Sequence, residues 1–496
     1  MDRISLAGEF LEHLKTDLIP FWSGLEDKEY GGFYGLVDAD GVVDKKAVKG
    51  CILNSRILWF FINCSMLFEE LADKNAGDNG AGDELEDEYR RLAGECRKKA
   101  QHAYRFLMDH CLDKEYGGIY WSVNYDGTPN ETLKHTYNQA FAIYALSSYF
   151  DATGDEAAYE EASKIADILE ERCTDDEGYL EAFNRDYTPT DNEELSENGV
   201  MADKTMNTLL HVYEAYTEIL RVTKKHFPAV AKASGGGYSV ENAKRIAKLS
   251  NRIKFILEIF SEKIYNPELN RQEVFFDKDY NPIIDLHSYG HDIESAWLID
   301  RGLKVLADVS LTAEIEPITL SLAEKIYSRA YRNHSVLNEC ENGKDDETRV
   351  WWIQAEAVTG FMHASEKYGR RAARVLEGMK AAGASAAERH STQVEAEKMS
   401  SRFFAAAVDV WECIKEKFVI CNNPQATDFG KNRQPAGGEN ALIVDIYTHP
   451  AEWYENLYAD LTPFPGMDIV RPWKCPYHNG RMCIEMVRRL TGMEFY

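Results

Sequence analysis

The chain has 496 residues, with 56 Lys and Arg against 83 Asp and Glu for a net charge of −27, and 44% of its residues are hydrophobic. This composition excludes a disordered chain and supplies a large buried core. The acidic balance repels phosphate backbones and anionic lipid, so nucleic acid and membranes are not expected partners, whereas neutral or cationic small molecules remain open.

The N-terminus, MDRISLAGEF, has no apolar leader segment. The longest strongly apolar stretch, Ile57 to Phe68, is broken by Asn63 and Ser65 and falls short of the roughly 20 residues of a membrane span. A cytoplasmic protein is expected. A helix expected over Glu9 to Trp22 leads into DKEYGGFY (27–34), which recurs as DKEYGGIY (113–120) and, diluted, as DDEGY (175–179). Helices are expected before the later copies, over Arg97 to Cys111 and Glu156 to Cys173. Others follow the motif, over Leu53 to Leu71 and Tyr137 to Phe150. The glycines suit a turn, so the motif reads either as turn chemistry with packing or as a ligand contact.

Each unit is therefore helix, turn, short extended aromatic piece, helix. A single helix pair cannot bury both apolar faces, so its repetition predicts an array of helical hairpins, either an open solenoid or a closed ring of inner and outer helices. No linker tract divides the chain, and one domain over 1–496 is expected, with surface excursions near 72–88, 224–240 and 369–402. The last reads as helical with a loose middle.

Polar residues interrupt these helices at particular places. Arg56 stands near the start of an apolar helix and needs an anionic or carbonyl partner, which a substrate oxygen or a structural ion pair would supply. The helix expected over Ala202 to Val222 sets His211 and Glu214 three apart beside an apolar face. Ser288 opens a helix running through Leu306, on which His291, Glu294 and Trp297 share a face. A carboxylate one turn after an imidazole fixes its tautomer and raises its basicity, as a general base requires; a satisfied core histidine is the alternative. Trp352 and Glu356, four apart, pair an apolar platform with an acceptor, or else belong to the core. His478 follows Pro476 at the start of a helix over Arg481 to Leu490. Cys475 and His478 lack a second pair at ligand spacing and the ten cysteines contain no CxxC, so neither a metal site nor a disulfide framework is expected.

The collinear segments LNSRILWF, HTYNQAFAIYALS, MNTLLHVYEAY, YGHDIESAWL, RVWWIQAEAV and WKCPYHNGR, spread between about Phe21 and Arg489, closely resemble the cellobiose 2-epimerases of the N-acylglucosamine 2-epimerase superfamily. The resemblance implies an all-α fold, an (α/α)6 barrel with short β pieces in its loops. It also implies reversible epimerisation at C2 of the reducing-end glucose of a β-1,4-linked disaccharide such as cellobiose, with lactose or mannobiose as further substrates. No metal or cofactor is implied, and a monomer or weak homo-oligomer is expected. By motif, His291 and His478 would be the acid/base pair, Arg56 and His211 would contact the reacting oxygens, and Glu294 would support His291. Tyr137, Asn138, Trp297, Trp352, Glu356 and Trp473 would line the sugar site. The family pattern MNTHLH has Leu209 in place of its first His, so the local wall is expected to differ. Monosaccharide epimerases or mannose isomerases of the superfamily are the nearest alternatives. A glycoside hydrolase would instead have to use Glu294 and Glu356 across the scissile bond, and a non-catalytic sugar-binding protein would explain the tryptophans but not the histidines.

Overall fold

Two kinds of helix alternate along the chain. In Cys51–Asn75 every residue from Cys51 to Ser65 is buried, whereas Glu156–Arg172 buries a stripe containing Ala158, Tyr159, Ala162, Ile165 and Leu169. A helix that is apolar on all sides must be enclosed by others, and a striped helix must lie outside.

The computed structural model describes residues 2–76, 81–190, 199–227, 240–381, 385–422, 442–445 and 448–493. Among these, the outer helices are α1 (Arg3–His13, continued through a π-helical turn into Ile19–Gly24), α3 (Ala81–Phe106), α5 (Glu156–Arg172), α7 (Val240–Ile259), α9 (Val309–Arg329) and α11 (Ala386–Cys413). They alternate with the inner helices α2 (Cys51–Asn75), α4 (Thr136–Thr153), α6 (Met206–His226), α8 (Tyr289–Leu306), α10 (Trp351–Ala381) and α12 (His478–Thr491). Each inner helix packs on the next, and α12 returns to α2, closing the ring; α1 lies against α12, and every other outer helix lies against the inner helix preceding it. The result is an (α/α)6 barrel, not an open solenoid.

Helix α2 exceeds the apolar stretch legible in the sequence. It is long and apolar enough to cross a membrane, yet 94% of its most apolar window is buried inside the barrel. The expected excursion 72–88 is instead mostly the end of α2 and the start of α3, with 77–80 outside the described residues. Of 224–240, residues 224–226 finish α6 and 228–239 lie outside the described residues. The segment 369–402 extends α10 and α11, with 382–384 outside the description; Ser385 and Glu388 form a reciprocal cap at the start of α11.

Short strands immediately precede five inner helices: Lys49–Gly50, Lys134–His135, Lys204–Thr205, Leu286–Ser288 and Arg349–Val350. Each pairs antiparallel with a strand further along the chain, and Val37 bridges to Val470 across the closure. These pairs form a collar around the N-terminal ends of the inner helices.

The repeated motif serves turn chemistry and packing, and none of its residues borders the cavity at the collar. Its leading Asp accepts backbone N–H groups inside the turn, as Asp27 does from Glu29 and Asp113 from Glu115. The same carboxylate binds a buried lysine from the collar: Lys49 to Asp27 at 2.6 Å, Lys134 to Asp113 at 3.1 Å and Lys204 to Asp175 at 2.8 Å. The fourth residue of the following helix reaches back to the strand: Asn54 accepts from Phe33 N–H, Gln139 from Ile119 and Gln354 from Val336. Leu209 occupies the equivalent place on α6 and packs with Met206, Leu210, Tyr213, Ile256 and Leu257, behind the cavity rather than on its wall. There Glu181 ties the turn down instead, accepting from Thr205 N–H and the Thr208 hydroxyl.

Gly118 has a φ of +69°, and an added Cβ would lie 2.2 Å from the Tyr187 hydroxyl and 2.5 Å from Gln139 Oε1. Gly118→Ala is expected to destabilise the fold by about 2 kcal/mol or more. Gly8 sits within α1 with no atom near its missing side chain, and Gly8→Ala is expected to stabilise by about 0.5–1 kcal/mol. Urea unfolding of both variants checks the pair of signs.

Candidate active site

The collar encircles a cavity of about 320 Å³, a size suited to a small organic ligand. Its lining follows the helix register. Tyr137, Asn207 and Trp352 are the second residues of α4, α6 and α10, and Arg56, His211 and Glu294 are the sixth residues of α2, α6 and α8; all border the cavity. One helical turn separates these two layers, and α6 presents both to the cavity. His291, His478, Trp351 and Trp473 also border it, with Ser288, Glu339, Glu455 and Arg471 among the other polar lining residues.

Beneath this cavity Arg481, on the first turn of α12, is completely enclosed. Its Nη1 donates to Glu214 Oε1 at 2.7 Å and to the Tyr477 hydroxyl, and its Nη2 donates to Glu356 Oε1 at 2.8 Å and to Glu294. Its plane lies over the Tyr477 ring at 4.3 Å and the Trp297 ring at 4.9 Å. Three carboxylates from three helices thus share one guanidinium. Glu294, Glu356 and His478 bring ligand-type atoms within 4.8 Å of one another, a cluster that could suit a cation, but Arg481 already supplies the positive charge between the two carboxylates. Nearness to a single guanidinium also prevents Glu294 and Glu356 from flanking a scissile bond as a hydrolase requires, and Glu356 does not border the cavity.

The carboxylates in turn fix imidazoles. Glu356 Oε1 lies 2.8 Å from His478 Nδ1, and Glu214 Oε2 lies 3.0 Å from His211 Nδ1. His291 Nδ1 is 2.7 Å from the Ser288 hydroxyl. The rings of His291 and His478 lie 4.8 Å and 5.4 Å from the Trp352 ring. Arg56 donates from Nη2 to the Tyr137 hydroxyl at 2.6 Å and stacks on Phe141 at 4.1 Å, while its Nε finds no partner among the described residues.

Burial dominates the electrostatics. It pushes His291 down to about 3, helped by His211. It also pushes His478 well below the ordinary imidazole value, reinforced by Arg481 and Arg56. Burial raises Glu294, with the neighbouring Glu356 adding to the effect and Arg481 opposing it. Burial would raise Glu214 as well, but Arg481 and His211 outweigh it and hold that carboxyl far below the usual range. Two guanidiniums, Arg56 and Arg481, face three carboxylates, so a protonated Glu294 leaves this buried set electrically balanced.

Arg56, His211, His291, His478, Tyr137, Trp352 and Trp473 are brought together around the cavity as the motifs imply. Four expectations need correction. Glu294 does not hold His291: it bonds Arg481, and Ser288 orients the imidazole. His291 is accordingly made less basic, not more. Trp297 and Glu356 lie under the wall; the Trp297 indole N–H donates to Glu356 Oε2 at 3.0 Å, and Glu356 positions His478. Asn138 is buried with its amide donating to Tyr120 O, away from the cavity. Ser288, Asn207, Tyr477 and Arg481 belong to the site or its support without having been singled out for it, whereas Glu214, noted three residues from His211, does bond that imidazole. A buried arginine needs anionic partners, and Arg481, three residues after His478 in the same motif, is as subject to that requirement as Arg56.

The family model for N-acylglucosamine 2-epimerase matches residues 88–219. A cellobiose 2-epimerase of Eubacterium cellulosolvens is 39% identical over 483 residues, covering 97% of this chain and 98% of its own, and one of Ruminococcus albus is 38% identical over 484, covering 98% and 99%. The crystal structure of a sugar epimerase from a ruminal bacterium superposes with a TM-score of 0.74 at 36% identity, covering 98% of this chain and 99% of its own. A D-mannose isomerase shares the fold, with a TM-score of 0.63 at 15% identity, over 98% of this chain and 97% of its own. With such identity over nearly its whole length, this chain belongs to the cellobiose 2-epimerases.

Proposed function

We propose that the enzyme reversibly converts the reducing-end glucose of cellobiose to mannose, with lactose and mannobiose as further substrates, and that His291 and His478 exchange the C2 proton. The observation that carries this reading is the pair of imidazoles, held by unlike partners, against the same Trp352 ring in one cavity with Arg56. The names of the relatives at 38–39% identity support the disaccharide.

Once the pyranose opens, the C2 hydrogen is α to an aldehyde, and its removal leaves an enediolate. One imidazole takes that proton. The other, which must be protonated against the effect of burial on both rings, delivers a proton to the opposite face of C2, and the roles exchange in the reverse direction. Arg56 has an unengaged Nε–H with which to meet the developing oxyanion, a preorganised interaction worth about 3 kcal/mol per donor. The N-termini of the inner helices converge on the cavity and add positive potential there. Glu356 keeps the Nδ1–H of His478 engaged, which leaves Nε2 as the working nitrogen.

Proton NMR of cellobiose in D2O is expected to show mannose-type anomeric signals with deuterium at C2; release of free glucose would sink the reading. Replacing either His291 or His478 by Ala should lower kcat by about 10²–10⁴-fold. Because Glu356 acts from beneath the wall, Glu356→Gln should lower kcat about a hundredfold or more while leaving KM nearly unchanged. Steady-state kinetics of the three variants decides.

Burial also leaves a signature in acid. The unfolded His291 takes up a proton near pH 6.5, whereas the folded one resists until about 3, so its contribution is a loss of stability as pH falls through that window. From pH 7 to pH 5 the wild type should lose about 1–2 kcal/mol more than His291→Gln. Urea unfolding at the two pH values measures the difference; equal losses would refute it.

A further inference from the structure

Opening the pyranose must precede any chemistry at C2, and it needs a proton delivered to the ring oxygen O5 and another removed from O1. The two imidazoles assigned to C2 do not account for this step. Glu294 has the geometry for it. Its Oε1 is engaged by Arg481, whereas Oε2 is buried and has no hydrogen-bond partner among the described residues, and the residue borders the cavity. A buried polar atom without a partner is costly, so an orphan on a residue that borders a cavity marks the place of a ligand group. His211 borders the same cavity, and with Nδ1–H donating to Glu214 it has Nε2 available as an acceptor.

We propose that Glu294 is the acid that opens the sugar ring, protonating O5 while His211 takes the proton of O1. This rests on the epimerase reading above. The Oε2–H proton passes to O5 as the C1–O5 bond breaks. The O1–H pair becomes the second bond of the C1=O1 aldehyde, and its proton goes to His211 Nε2. No electrons enter or leave, and ring closure on the product reverses each transfer. The step creates a carboxylate and an imidazolium, and both have counter-ions in place: Arg481 at Glu294 Oε1 and Glu214 at His211 Nδ1. The crowding of Glu294 by Glu356, and the burial of both, favour the protonated acid at rest.

The test is Glu294→Gln, which preserves size and a donor but cannot transfer a proton. Exchange NMR between the α and β anomers of cellobiose reads ring opening directly, and the isotope effect on 2-deuterated cellobiose reads C–H cleavage. The variant should lose at least about a hundredfold of the catalysed anomer exchange. Its isotope effect should fall toward unity because ring opening becomes limiting, and Glu294→Asp, which keeps the carboxyl, should regain part of the exchange. Wild-type anomer exchange in Glu294→Gln, or reduced turnover with an undiminished isotope effect, would overturn the proposal, the latter marking a merely structural role. Failure of the wild type to form a mannose-ended product would instead count against the epimerase reading itself.

Discussion

The Arg481 guanidinium, sealed beneath the cavity, is the cation that Glu214, Glu294 and Glu356 share, and the placement of the site's polar groups follows from that sharing. Glu214 fixes His211 and Glu356 fixes His478, so two imidazoles on different helices are referred to one rigid planar group. A guanidinium suits this task because its fork of donors reaches several acceptors in fixed directions, which an ammonium cannot do. Desolvating so many charges brings little net stability. What it brings is geometry, which a reaction that moves a proton between the two faces of one carbon requires.

The barrel makes that sharing possible. Inner helices are apolar around most of their circumference because they are enclosed, and their first turns meet at the collar, where short strands and buried lysine–aspartate pairs fix the register of each helix start. Register then decides chemistry. The second and sixth positions hold Tyr137 and Phe141 on α4, Asn207 and His211 on α6, and Trp352 and Glu356 on α10, residues of the cavity wall or of the layer beneath it. Leu209 illustrates the converse. As a fourth residue it faces outward between helices, so losing a polar group there alters packing behind the cavity and not the wall.

Much of this was legible before the structure. Composition and repetition gave helical hairpins, and most ends of the helices read from the sequence fall within a few residues of those observed, although α7 and α9 were not among them and α3 begins at Ala81 rather than Arg97. The motifs implied Arg56, His211, His291 and His478 together. What misled was the assumption that neighbours on one helix are partners. His291 and Glu294 lie on one turn, yet α12 brings Arg481 to Glu294, and the residue just before the helix, Ser288, reaches the imidazole. The tryptophans show the same limit: Trp352 borders the cavity, whereas Trp297 serves the layer beneath.

The sequence by itself determined the local terms: which segments are helical, which of them are enclosed, where turns fall and which residue types can move protons. These depend on contacts within a few residues and on the balance of apolar and polar groups. Ring closure, the depth of each side chain and the pairing of carboxylates with imidazoles were decided only in three dimensions. Glu214 and Arg481 are 267 residues apart in the chain and 2.7 Å apart in the fold. Burial, which sets whether His291 and Glu294 carry a charge, is a property of the closed barrel and of no segment within it.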